Sequence, residues 1–158
     1  MTRPVASTDT IFQVLAHEHR DLEARFSAFH EAAADDFEAA RQSYPDLAAA
    51  VIAHLHAEAT VLVPRLAQIP ALASILDGMR ADQARIETEA LALAHATLTP
   101  SEWVRGVRRL ERDLERLIER EEAQVYPLAR RALPPEESHD LARELRTVED
   151  QERDDPST

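Results

Sequence analysis

Apolar residues recur every three or four positions through most of this chain, which is the spacing of amphipathic helices and not the alternation of strands. A first stripe runs Ile11, Leu15, Leu22, Phe26, Phe29 and a second Leu47, Val51, Leu55, Leu62. A third runs Leu72, Leu76, Met79, Ile86, Ala90, Leu93, and a fourth Trp103, Val107, Leu110, Leu114, Leu117, Val125, Leu128. Polar side chains interrupt these stripes in phase: His19 in the first, His54 and Glu58 in the second, Gln83 in the third, Glu121 in the fourth. Stop signals agree with the stripes. Thr99-Pro100-Ser101-Glu102 reads as a capping box with proline at the first helical position. Ser43–Asp46, with Pro45, reads as a start for the second helix, Ile69-Pro70 as the break before the third, and Leu133-Pro134-Pro135 as the end of the fourth. Four helices of roughly 20–25 residues with short links predict an all-α, up-down-up-down four-helix bundle. Leu141, Leu145 and Val148 add a short C-terminal helix over 136–150, and 151–158 reads as a frayed charged tail. The whole, 1–158, reads as one domain with its core in about 10–135.

The second and fourth helices repeat one another at an offset of 63: His54 through Pro64 can be laid on Leu117 through Pro127. Both copies place a glutamate, Glu58 and Glu121, six residues before an intrahelical proline. Such a proline costs about 3 kcal/mol, so two at matching places point to a shared structural origin. The first and third helices align at an offset of 64, which sets Gln83 opposite His19. A pseudo-symmetric pair of helical hairpins follows, with residues 19, 54, 83 and 117 at comparable depth and 58 and 121 one turn further on.

Composition narrows the function classes. The 158 residues hold 2 Gly and no Cys. So few glycines disfavour hairpins and phosphate-cradling loops, and the lack of cysteine excludes disulfides, thiolate metal sites and thiol nucleophiles. A net charge of −12 repels phosphate backbones and disfavours nucleic acid as a partner. No apolar run approaches the roughly 20 residues of a membrane span, and Met1–Thr10 lacks the pattern of a secretory leader. The expectation is an acidic cytoplasmic protein, with a homodimer compatible with its surface.

His54 and Glu58, four residues apart, share one helical face, so an imidazole and a carboxylate can reach one ion. His19 and Glu121 occupy core positions of neighbouring helices. Two imidazoles and two carboxylates suit iron or manganese, or zinc with less geometric demand. A buried carboxylate without a partner costs several kcal/mol or takes up a proton, and a metal removes that penalty. Each residue also has a plainer reading: a surface His/Glu pair, a hydrogen-bonded core histidine, a solvated acidic face, and for Gln83 an amide that hydrogen-bonds without ligating. His17 and His56 point roughly 200° from His19 and His54 and read as surface residues. His30, His95 and His139 have no partnered motif, Glu136 with His139 gives a lone Glu-x-x-His, and Arg105, Arg108, Arg109, Arg112 and Arg116 read as a salt-bridged exposed face.

Leu15 through Leu22, His54 through Leu66 and Glu121 through Leu128 together resemble the hemerythrin-like family, whose repeated signature is His-x-x-x-Glu followed by an apolar residue and proline. The resemblance covers about residues 10 to 135. It implies a helical bundle holding a non-haem di-iron centre bridged by two carboxylates, with O₂ binding or the sensing of O₂, NO, peroxide or iron. It further implies His19 and His54 as terminal ligands of one iron and Glu58 and Glu121 as bridges. The sequence departs from the pattern in the other half, where Gln83 and Leu117 replace the expected histidines. The expectation is a reduced, mononuclear site of His19, His54, Glu58 and Glu121. Its alternatives are a metal-free bundle acting as a structural or interaction protein, and, ranked below both, a peroxidase-like enzyme.

Overall fold

A computed structural model describes residues 9–154. Residues 1–8, most of the segment tested for a leader, and residues 155–158 of the tail lie outside the described part. Every regular element described is helical: α1 (Ile11–Asp35), α2 (Phe37–Ala57), a widened π-turn (Glu58–Leu62), α3 (Val63–Leu66), a 3₁₀ turn (Pro70–Leu72), α4 (Ala73–His95), α5 (Pro100–Arg120), a second π-turn (Glu121–Val125), α6 (Tyr126–Ala132) and α7 (Pro135–Asp154). Because the π-turns join their flanking helices without a break, these form five rods: α1, α2–α3, α4, α5–α6 and α7.

The chain enters its helices where side chains can absorb the orphan amides. Thr10 caps α1 and Thr99 caps α5, each in a reciprocal capping box, with Gln13 and Glu102 returning the bond. The second helix starts earlier than Ser43–Asp46. Asp36 alone separates α1 from α2: its extended backbone turns the chain, its N–H bonds Ala32 O, and its carboxylate accepts from Ala39 N. Pro45 therefore lies inside α2. Its lost backbone bond is offset by packing around it, where Tyr44, Leu47 and Ala48 are buried and the Tyr44 hydroxyl donates to Ala90 O at 2.9 Å.

The second and fourth rods span 37–66 and 100–132, longer than the 20–25 residues expected, because the intrahelical prolines widen them without ending them. Pro64 and Pro127 lack the N–H that would close a normal turn, so the preceding residue reaches one position further back. Val63 N–H bonds Glu58 O and Tyr126 N–H bonds Glu121 O. The 37–66 rod is long and apolar enough to cross a membrane by length and composition, a feature that counting apolar runs missed. Most of its apolar stretch is spent inside the fold. The last helix continues to Asp154, so 151–154 is helical where fraying was expected. Glu152 holds that end to His56.

The core is continuous. Phe29, Phe37, Tyr44 and Trp103 interlock through ring contacts of 5.1–6.1 Å, and Trp103 Nε1 donates to Leu93 O. Gly106 lets α5 approach α4 closely, since a methyl group there would meet Leu93 Cδ2 at 2.6 Å. α7 packs on α1, α2 and the first π-turn.

Candidate metal centre

The polar residues that break the apolar stripes meet inside the protein. His19, His54, Glu58, Gln83 and Glu121 are all buried, the two glutamates completely. α1 supplies His19, α2 supplies His54, and each π-turn begins with one glutamate. The His19 and His54 rings stand edge to face with centroids 5.1 Å apart. Donor atoms of His19, His54 and Glu58 all lie within 4.8 Å of one another, close enough to reach a common ion. Glu121 joins them beside His19, with Oε2 at 3.6 Å from Nε2. All four residues singled out in the sequence are thus brought to one place.

The orientation of the imidazoles decides what the place can do. His19 Nδ1 is held by Glu122 Oε1 at 2.8 Å, and His54 Nδ1 by Glu18 Oε2 at 3.0 Å. A carboxylate can only accept, so Nδ1 carries the proton in each case, and in the neutral ring Nε2 keeps its lone pair directed inward. His54 Nε2 then faces Glu58 Oε2 at 3.7 Å, and His19 Nε2 faces Glu121 Oε2. Neither separation is short enough for a good hydrogen bond. His19 Nε2 and Glu121 Oε1 are among the buried polar atoms left with no partner. This donor set fits a cation: it is what a proton or a metal ion would have to satisfy.

Two residues temper the negative charge. The Tyr126 hydroxyl donates to Glu58 Oε1 at 2.9 Å and lies 3.4 Å from Glu121 Oε2, while Gln83 Nε2 donates to Glu58 Oε2 at 3.3 Å. Burial, then the Glu58 charge, pushes the Glu121 carboxyl well above its usual range. Burial and the same two carboxylates push the Tyr126 phenol well up. Burial and neighbouring His54 lower His19, while for His54 the pull of burial is outweighed by the Glu58 and Glu18 carboxylates, so its pKa is raised.

Tyr126, Glu18 and Glu122 went unremarked as site residues in the sequence. Tyr126 sits directly before Pro127, the position that Val63 holds before Pro64, and that mismatch within the repeat was the available signal. The two acids flank core positions and look like surface residues. His17 is exposed as expected. His56 is half-buried between Glu87 at 3.0 Å and Glu152 at 3.3 Å. His30 bonds Glu111, and His139 meets Asp9 O, so the Glu136/His139 pair stays outside the centre.

The other half of the repeat carries different residues at the matching positions. Gln83 stands where His19 does, and buried Leu117 where His54 does. The matching acids differ too. Ala59 matches Glu122, and Asp82, the match of Glu18, turns instead to Arg120 at 2.5 Å. A recess of about 350 Å³, lined in part by Phe12, Ala16, His19, Arg20, Tyr126 and Arg130, opens beside His19. Of the four candidate ligands only His19 lines it.

No curated protein and no solved structure matches the chain. A comparison with protein families matches residues 10–129 to the hemerythrin HHE cation binding domain. That stretch contains His19, His54, Glu58, Gln83 and Glu121, and the chain belongs to the hemerythrin HHE cation-binding family.

Proposed function

We propose that this protein binds one non-haem metal ion, iron being the best fit, at a centre reduced from a dinuclear one, and that it uses the centre to bind or sense O₂, NO or peroxide. The observation that carries this reading is the pair of imidazoles anchored through Nδ1, with both Nε2 lone pairs turned toward buried carboxylate oxygens. His19 and His54 would supply nitrogen, Glu58 a carboxylate and Glu121 a second. The ion, when bound, supplies positive charge and a coordination position for a small ligand. Glu122 and Glu18 hold the imidazoles in the ligating tautomer. The recess beside His19 gives small molecules a short path, and Ala16 on its wall is the place to block it. A single ion is favoured because Gln83 turns an N–H toward Glu58, and because Leu117 offers no donor atom. The short links support an up-down-up-down course for the first four rods. The one-residue link at Asp36 and the four-residue link 96–99 leave no length for a crossover.

The test is metal content of tag-free protein loaded anaerobically with ferrous iron. One iron per chain is expected, falling close to none in His54→Ala. Because only the folded chain holds the centre, iron at about 100 times its Kd should add about 2.7 kcal/mol of stability to the wild type and none to the variant. Two irons per chain would overturn the single-ion reading. No iron, with an unchanged melting temperature, would favour a metal-free scaffold, for which the hydrogen bonds of Tyr126 and Gln83 to Glu58 already provide partial satisfaction.

A further inference from the structure

The family match ends at residue 129, yet α7, which begins at Pro135, reaches back to the centre. It is firmly seated. Leu141, Ala142 and Leu145 are buried, Ser138 Oγ accepts from Ile11 N at 3.3 Å, and Arg146 pairs with Asp9 at 2.8 Å. This seating brings Glu149 to the outer side of His54, where its carboxylate, Glu18 and His54 have donor atoms within 4.8 Å of one another. His54 therefore has Glu58 before its Nε2, Glu18 on its Nδ1, and Glu149 as a third acid within 4.8 Å. His19 is served differently, for its Nδ1 meets Glu122, a half-exposed residue of the second π-turn.

A carboxylate behind a histidine makes the opposite nitrogen a better donor, and a second one adds attraction for a cation held there. We infer that Glu149 is a positioning residue for the metal centre, and that metal occupancy and the docking of α7 stabilise each other. The second half follows from the first by linkage: if docked Glu149 tightens metal binding, bound metal must tighten docking by the same factor. A helix outside the family segment thereby becomes the element through which the buried centre can be felt at the surface.

The inference rests on the metal-binding reading, and its test separates the two. Full-length wild type, Glu149→Gln, Glu149→Asp and Glu152→Gln are titrated with ferrous iron alone by anaerobic equilibrium dialysis. Glu149→Gln should weaken binding by about 10-fold or more. Glu149→Asp should recover part of the loss. Glu152→Gln, which removes the α7 contact to His56 but no charge at His54, should stay close to wild type. In amide exchange, residues 141–152 should be protected further when wild type takes up iron, and should respond less in Glu149→Gln at an iron concentration that saturates it. Equal affinity of Glu149→Gln and wild type overturns the inference. So does a loss of the same size in Glu152→Gln, which would make the effect one of helix docking alone, or exchange in α7 that ignores iron. Absence of iron binding by the wild type overturns the reading beneath it instead.

Discussion

Removing a single oxygen from Tyr126 tests whether the buried acids are balanced by protein donors or by a cation. In Tyr126→Phe the ring keeps its place, stacked on His19 and tilted against Phe12. What disappears is the proton given to Glu58 Oε1 at 2.9 Å and shared toward Glu121 Oε2. Both glutamates are completely buried, so water cannot take over without rearrangement. A hydrogen bond to a charged group contributes about 1.5–3 kcal/mol, and its loss in a sealed site falls near the top of that range. With a urea slope of about 2 kcal/mol/M, the unfolding midpoint of the metal-free variant should drop by about 1.5 M at unchanged slope. In iron-loaded protein the same substitution should cost distinctly less, because a cation then satisfies the carboxylates. Urea unfolding at pH 7, with and without iron, gives both numbers. An unchanged midpoint in the metal-free protein would refute the account of the hydrogen bonds. An equal loss in both forms would refute the claim that a cation replaces them.

His56 supplies a pH signature. Burial pulls its pKa down, but Glu87 and Glu152 outweigh that and raise it above 6.5. The stability it contributes is therefore complete below about pH 6.5 and lost as pH rises through the raised value. His56→Gln should flatten the decline in metal-free thermal stability above pH 6.5, and an unaltered slope in that variant would count against the clamp. Rebuilding the lost half is a further check. Gln83→His with Leu117→His should raise bound iron from one toward two per chain, while lowering metal-free stability by burying imidazoles without partners. Iron content that stays at one would mean that the supporting acids, and not the imidazoles alone, limit that half.

Much of this was legible in the letters because helical period reports which face is buried. The in-phase positions of His19, His54, Glu58 and Glu121 translated directly into depth, and the paired prolines marked the repeat. Tyr126 was hidden by the same rule. On a regular helix, a residue five positions after Glu121 lies roughly 140° round the axis, facing away. The π-turn closes i to i+5 and sets Tyr126 back above Glu121, an effect of backbone geometry that side-chain period does not encode. Pro45 reads as punctuation in the letters, whereas one aspartate, Asp36, performs the turn into α2. Glu149 could not be foreseen, since its role depends on where α7 docks and not on any local pattern.

The two halves of the repeat differ as units and not residue by residue. Where an imidazole persists, its acid persists too: His19 with Glu122, His54 with Glu18. Where the imidazole has gone, the matching acid is missing or has found an arginine, as Asp82 has with Arg120. A supporting carboxylate without its histidine would be a half-buried charge with nothing to hold, so loss of one favours loss of the other. By the same logic, a complete pair is expensive to keep unless something rewards it. A protein drifting toward a plain scaffold could satisfy its core with leucine at both His54 and Leu117. Here one half has done so, while the other retains two anchored imidazoles and two buried carboxylates. The half that keeps them is the one beside the recess and behind α7, the asymmetry that the proposed metal-binding role requires.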